Sequence, residues 1–230
     1  MLAPATVNRE IALLRVFLNH LINQGLLPSN PVSKVRMLKE EPAPIRVLSD
    51  DEERLYLFAA TQPLKDVAAI MIDTGMRPTE VFTMKWENVF LEDGYIFVPN
   101  GKTRNARRNV PMTDRVAGIL ASRLNGSKDE LVFMNPDTRR PYISLKTAHA
   151  TALRRSEVKR FRVYDLRHTF ATRVAESGGD LMTLKDLLGH SNIQMVTRYA
   201  HPTDKHKFEA IKRMEARRGS NGAKMRAIGG

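Results

Sequence analysis

Apolar positions recur at helical spacing over most of this chain and change to strict alternation only once. In residues 6–24 (TVNREIALLRVFLNHLINQ), Ile11, Leu14, Leu18, Leu21 and Ile22 fall on one stripe, which predicts an amphipathic helix stopped at Gly25. Pro42 and Pro44, set among charges in KEEPAP (39–44), mark a linker. A second helix is predicted from LSDDEERLYLFAAT, because Ser49 and Glu52 have capping-box spacing and Asp50 and Asp51 suit the positive end of the helix dipole. Residues 66–74 form a third helix, closed by Gly75. Pro78 fits the first turn of a fourth, where its missing N–H costs nothing, and Arg77 then stands at the helix mouth, a place suited to an anion.

The period shifts in WENVFLEDGYIFVPNGKTRNARRNVPM. Val89/Leu91, Tyr95/Phe97 and Val110/Met112 alternate around an EDG turn, so a three-stranded antiparallel sheet is expected, with the basic loop NGKTRNARR between its second and third strands. Helical periodicity returns at 113–124, 144–156, 165–177, 181–188, 192–200 and 203–217. Ser191 and Gln194 have capping-box spacing, which places Tyr199 near the end of a short helix. The expected fold is α+β and mostly α-helical, with one small antiparallel sheet. Residues 1–41 read as the end of a helical domain plus linker, 42–218 as the main domain, and 219–230 as a flexible tail.

Composition narrows the class. The 230 residues are 42% apolar and 27% charged, as in an ordinary globular protein. No run is long and apolar enough to span a bilayer, and the opening MLAPATVNRE lacks a signal-peptide pattern. The absence of cysteine excludes disulfides, thiol catalysis and thiolate metal sites, and fits a cytoplasmic protein. The net charge of +12 is unevenly placed. Residues 100–173 hold 17 Lys/Arg against 6 Asp/Glu, and residues 205–230 hold 8 against 2. A surplus confined to segments points to a polyanion partner, since each neutralised phosphate releases condensed counterions.

Against that background, several short stretches stand out: TGMRPTE around Arg77, GKTRNARR around Lys102, DLRHTFAT around Arg167, LLGH ending at His190, and TRYAH around Tyr199. Any one of them, alone, has an ordinary reading as a cap, a solvated loop or a core aromatic. Taken together over 45–201, in this order, they resemble the tyrosine recombinases, the phage-integrase type of site-specific DNA recombinase. The helix at 6–24 resembles the last part of that family's core-binding domain.

The resemblance implies a set of roles. Arg77, Arg167 and His190 would hold and neutralise a DNA phosphate, doing electrostatically what metal ions do elsewhere, so no metal or other cofactor is expected. Tyr199 would attack phosphorus to give a 3′-phosphotyrosyl link and a free 5′-hydroxyl. Its phenol has an ordinary pKa near ~10, so nearby cations or a base must assist. Lys102 would protonate the leaving 5′-oxygen. Glu80 would help hold the site together, and Arg104, Arg107 and Arg108 would contact the DNA backbone. The implied partners are double-stranded DNA and further copies of the chain, four in the synaptic complex, with the helix at 203–217 (Phe208, Ile211 and Met214 along one stripe) packing either on its own core or on a neighbour.

One position departs from the pattern. The family usually shows His-x-x-Arg, and here YDLR puts Tyr164 where that histidine is expected. A phenol is a poor proton acceptor at neutral pH, so Tyr164 is expected to keep a structural or phosphate-bonding role, with slower cleavage than a histidine would give. His168 is expected to be a buried, hydrogen-bonded structural residue, and His201 is given no role. Two rivals follow: a type IB topoisomerase-like nicking-closing enzyme, and a DNA-binding protein that no longer cuts.

Overall fold

The computed structural model describes residues 2–41, 45–99, 107–125 and 129–199, together with positions 208, 211–212 and 214–215. The chain divides into two compact units, Met1–Pro44 and Ile45–Gly230, three residues later than the expected end of the first segment.

The first unit is built on α1 (Pro4–Asn23), which ends before Gly25 at φ 71°. The segment after it is tied back to the helix by side chains: Asn8 donates to the Leu38 carbonyl and accepts from its N–H, and Arg15 donates to the Val32 carbonyl. On the predicted apolar stripe Ile11, Leu18, Leu21 and Ile22 are half-buried and Leu14 is exposed, and Leu13, Val16 and Phe17, which are not on that stripe, are exposed as well.

The second unit carries the remaining elements. Helix α2 (Asp50–Ala59) starts at the expected capping box, with Ser49 Oγ accepting from Glu52 N–H and the Glu52 carboxylate accepting from Ser49 N–H. Helix α3 (Leu64–Thr74) is the core of the unit, with Val67, Ala68, Ile70, Met71 and Ile72 buried. It stops at Gly75, whose φ of 64° is easily reached only without a Cβ. A Cβ there would also collide with Phe170 and Leu188, so this glycine lets three helices converge. Helix α4 (Pro78–Phe82) is one turn long, entered through Arg77 in extended conformation.

The sheet is β1 (Val89–Phe90), β2 (Tyr95–Val98) and β3 (Arg108–Pro111), antiparallel in the order β1-β2-β3, with Gly94 completing the turn between the first two. Its buried face is Ile96, Val98, Val110 and Arg108, while Tyr95 and Phe97 point the other way and are half-buried. Helices α5 (Asp114–Leu124), α6 (Lys146–Ser156), α7 (Asp165–Glu176) and α8 (Leu181–Leu188) follow, within a residue or two of expectation. Helix α7 is anchored at its start by Asp165, which accepts from the Arg162 backbone N–H at 2.7 Å and pairs with its guanidinium. Thr169 on the same helix accepts from the Leu48 N–H.

The helix expected over 192–200 is instead two short 3₁₀ turns, Ile193–Met195 and Thr197–Tyr199. The cap is Asn192, whose side chain accepts from Gln194 N–H, not Ser191. Asx residues compete well for backbone donors and favour turns over continued helix, which explains the difference. At 208, 211–212 and 214–215 the chain is helical, with Phe208, Ile211 and Met214 exposed; the rest of the helix expected at 203–217 lies outside the described residues, as does the tail.

Candidate active site

Four chain segments converge beside the C-terminal end of α3, and each brings a charged or titratable group. The first is the turn into α4. Arg77 is held there by Glu80, whose carboxylate accepts from the Arg77 backbone N–H at 2.8 Å and from Nη1 at 2.7 Å. The same carboxylate binds Arg108 on β3 at 2.9 and 3.2 Å. Burial pushes the Glu80 carboxyl up, but the hydrogen bonds and charges of Arg108 and Arg77 outweigh it and hold it below its ordinary value. It is therefore an anion between two guanidiniums.

Arg108 was expected on the DNA backbone, and the structure turns its side chain inward. Its side chain is buried, and Nε donates to the Leu187 carbonyl at 2.7 Å. The reason is register: Arg108 is two residues before Val110, so strand alternation turns both to the core face. That spacing was readable in the sequence. Gly189, at φ 63°, lies so close that an added Cβ would sit 2.8 Å from Arg108 Nη1.

Arg167 on α7 is 1% exposed, with Nη1 on the Gly75 carbonyl and Nη2 on the Leu188 carbonyl, both at 2.6 Å. Desolvation, then repulsion from Arg77, pushes it down to about 10, so it stays cationic at neutral pH. These backbone bonds tie the helix ends of α3 and α8 to one guanidinium. His190, just after α8, lies with Nε2 3.0 Å from Arg167 Nη2. Nε2 is then the acceptor and Nδ1 carries the proton, yet Nδ1 is buried with no partner among the described residues. Burial, then Arg167 and Arg77, push the imidazole down to about 4. An orphaned buried donor beside two arginines is what an anion would satisfy.

Tyr199 comes from the last 3₁₀ turn and is 5% exposed. Its ring packs with Ala171, Leu184, Leu188 and Val196. Its hydroxyl is not hydrophobically sealed: it lies 2.5 Å from Nδ1 of His168 on α7. Burial raises its pKa, partly offset by Arg198, whose guanidinium is 5.9 Å from the ring centre. Arg167 and His168 are consecutive, so adjacent residues of α7 serve the cationic cluster and the phenol. His168 is buried and hydrogen-bonded, as expected, and its partner is the Tyr199 hydroxyl. Its signal in the sequence was position i+4 from Tyr164, which puts both on one helix face. Tyr164 is 39% exposed and meets the His168 ring edge-on at 5.2 Å.

Arg107 is exposed and donates to the Pro99 carbonyl. Lys102, Arg104 and His201 lie outside the described residues. A groove of about 840 Å³ is lined by Tyr164 together with Lys146, Arg154, Arg160 and Arg162. Among the described residues no helix is long and apolar enough to cross a membrane.

The sequence profile of the phage integrase family matches residues 46–206. The chain is 26% identical to the integrase of Salmonella phage P22 over 204 residues, covering 83% of this chain and 52% of that protein. It is 29% identical to tyrosine recombinase XerD of Lacticaseibacillus casei over 224 residues, covering 89% of this chain and 74% of that one. The chain thus spans about half the length of the P22 integrase and about three quarters of XerD. Among solved structures, the Tn1549 transposon integrase in complex with circular intermediate DNA superposes with a TM-score of 0.76 at 20% identity, covering 93% of this chain and 81% of that chain. The catalytic domain of bacteriophage HP1 integrase gives 0.58 at 27% identity, over 74% of this chain and 95% of that one. With its profile match across most of the second unit and the helical fold around one small sheet, the chain belongs to the phage integrase family, the tyrosine recombinases.

Proposed function

We propose that this chain is a site-specific DNA recombinase of the integrase type, which cuts and rejoins DNA strands through a 3′-phosphotyrosyl intermediate. The observation that carries the reading is the convergence of Arg77, Arg167 and the unpaired Nδ1 of His190 at one place, with the Tyr199 phenol on the neighbouring residue of the same helix. Guanidiniums fixed by Glu80 and by backbone carbonyls need no rearrangement to meet the charge that grows on a phosphodiester under attack. The phosphotyrosyl ester conserves bond energy, so rejoining to another 5′-hydroxyl needs no ATP. Lys102 serves as the acid for the leaving oxygen, and Arg104 and Arg107 touch the DNA backbone.

Double-stranded DNA is the partner, and Lys146, Arg154, Arg160 and Arg162 along the groove beside Tyr164 supply phosphate contacts that position but do not specify sequence. Strand exchange calls for four copies on two duplexes, and the exposed Phe208, Ile211 and Met214 stripe supports docking of the terminal helix on a neighbour. The first unit, with its partly uncovered apolar face, supports the reading of a helical DNA-clamping domain. The work is cytoplasmic.

A nicked duplex, recovered by binding from a random-sequence pool, provides the test. Wild-type protein becomes covalently joined to the strand bearing the cut, and Tyr199→Phe gives no adduct while binding the duplex equally well. A wild-type protein that binds and never forms the adduct rejects the reading in favour of a non-cutting binder. Relaxation of supercoils without strand exchange would favour a topoisomerase.

A further inference from the structure

The closest polar neighbour of the Tyr199 hydroxyl among the described residues is Nδ1 of His168, at 2.5 Å, with both residues more than nine-tenths buried. From this contact we infer that His168 is the proton acceptor for the Tyr199 nucleophile, a role that Tyr164 cannot fill. The inference rests on the recombinase reading and adds to it the group that makes the phenol reactive.

A phenol must give up its proton as its oxygen bonds to phosphorus, and a neutral imidazole is suited to take it. The proton passes from Tyr199 Oη to His168 Nδ1 while Oη forms a bond to phosphorus. The bond from phosphorus to the 5′-oxygen breaks, and that oxygen takes a proton from Lys102. Rejoining runs the same transfers backwards. This requires the Nε2–H tautomer, which leaves the Nδ1 lone pair facing the phenol. Tyr164, edge-on against the same ring, fixes its orientation and offers no base of its own at neutral pH.

The charges around the ring fit that task. Arg167, Asp165 and Tyr164 face it from α7, Arg162 from the approach to that helix, Arg198 from the last 3₁₀ turn, and His190 lies near enough to feel its charge. Burial first, then Arg198, hold the imidazole down at about 4, hence neutral and able to accept in the free protein. A phosphodiester seated on Arg167 brings in negative charge that offsets the cations, so the imidazole gains basicity when substrate arrives.

The experiment is single-turnover adduct formation on the nicked duplex with His168→Ala and His168→Asn, whose amide oxygen can accept a hydrogen bond but not a proton. Both are expected to slow adduct formation by about 10²- to 10⁴-fold with DNA affinity unchanged, and added imidazole is expected to restore the alanine variant. A wild-type rate in His168→Asn overturns the inference, since hydrogen bonding alone would then suffice. If neither variant melts as a folded protein, ¹⁵N NMR of the wild-type imidazole decides. An unprotonated Nδ1 that shifts in Tyr199→Phe is the expected result, and a protonated Nδ1 overturns the inference, because that ring can only donate to the phenol. Failure is traceable: no adduct with wild type sinks the recombinase reading and this inference together, whereas a wild-type adduct matched by His168→Asn sinks this inference alone.

Discussion

Tyr56 meets Nδ1 of His149 at 2.7 Å between α2 and α6, and Tyr199 meets Nδ1 of His168 at 2.5 Å beside α7, so the described residues include two buried phenol–imidazole pairs joined through the same ring nitrogen. Their surroundings differ. His149 donates through Nε2 to the Phe161 carbonyl at 2.8 Å, which fixes its tautomer and leaves Nδ1 to accept from Tyr56. Rings of Tyr56, His149 and Phe161 pack edge-to-face around the pair, and Tyr56 is fully buried, its phenol pushed far up by burial alone. That pair has all its hydrogen bonds made within the core, a polar staple. The other adjoins Arg167 and Arg198, and among the described residues no second hydrogen bond holds the remaining ring nitrogen of His168. Residue type does not separate a staple from a reactive pair; neighbouring charge does.

The largest effect that would sharpen this contrast is Tyr199→Phe against Tyr56→Phe. The first abolishes the covalent adduct. The second leaves adduct formation intact but strands the buried Nδ1 of His149, costing about 1–3 kcal/mol in denaturant unfolding. Equal loss of adduct from both would erase the distinction.

Glu80 fixes Arg77 and Arg108 at once in the cationic cluster that includes Arg167. Glu80→Gln leaves two guanidiniums without their counter-ion, and a cost of up to about 3–5 kcal/mol is expected in unfolding, together with a slower adduct. A variant of unchanged stability would mean that water already compensates these cations.

pH separates the pairs further. His168 and His190 are each held at about 4 in the folded chain against an unfolded value near 6.5. The unfolded chain therefore binds more protons between those values, so stability is full above 6.5 and falls as pH drops toward 4, by roughly 3 kcal/mol for each imidazole. His149 is lowered too, chiefly by desolvation. Urea midpoints measured from pH 7.5 to 4.5 check the slope, and a flat profile refutes the burial argument. Seating DNA should raise the His168 value and leave that of His149 where it is, which an NMR titration of both rings reads directly.

The smallest effect is expected at Tyr164. With the phenol's proton passing to His168, Tyr164→His changes the adduct rate by less than about threefold, in place of the gain that the sequence led us to expect, whereas a gain of tenfold or more would return proton transfer to position 164.

What the sequence settled by itself was local. Helix starts at Ser49 and Pro78, the stop at Gly75 and the single small sheet follow from short-range rules of capping, backbone freedom and periodicity, while the motifs around Arg77, Arg167, His190 and Tyr199 were legible through their family resemblance. Only the tertiary structure decided that the inward-facing Arg108 shares Glu80 with Arg77, and that His168 rather than an arginine receives the Tyr199 hydroxyl. Those outcomes depend on contacts between residues 28 and 31 positions apart. The energy of such contacts lies in burial and mutual charge, which no local pattern of residues encodes.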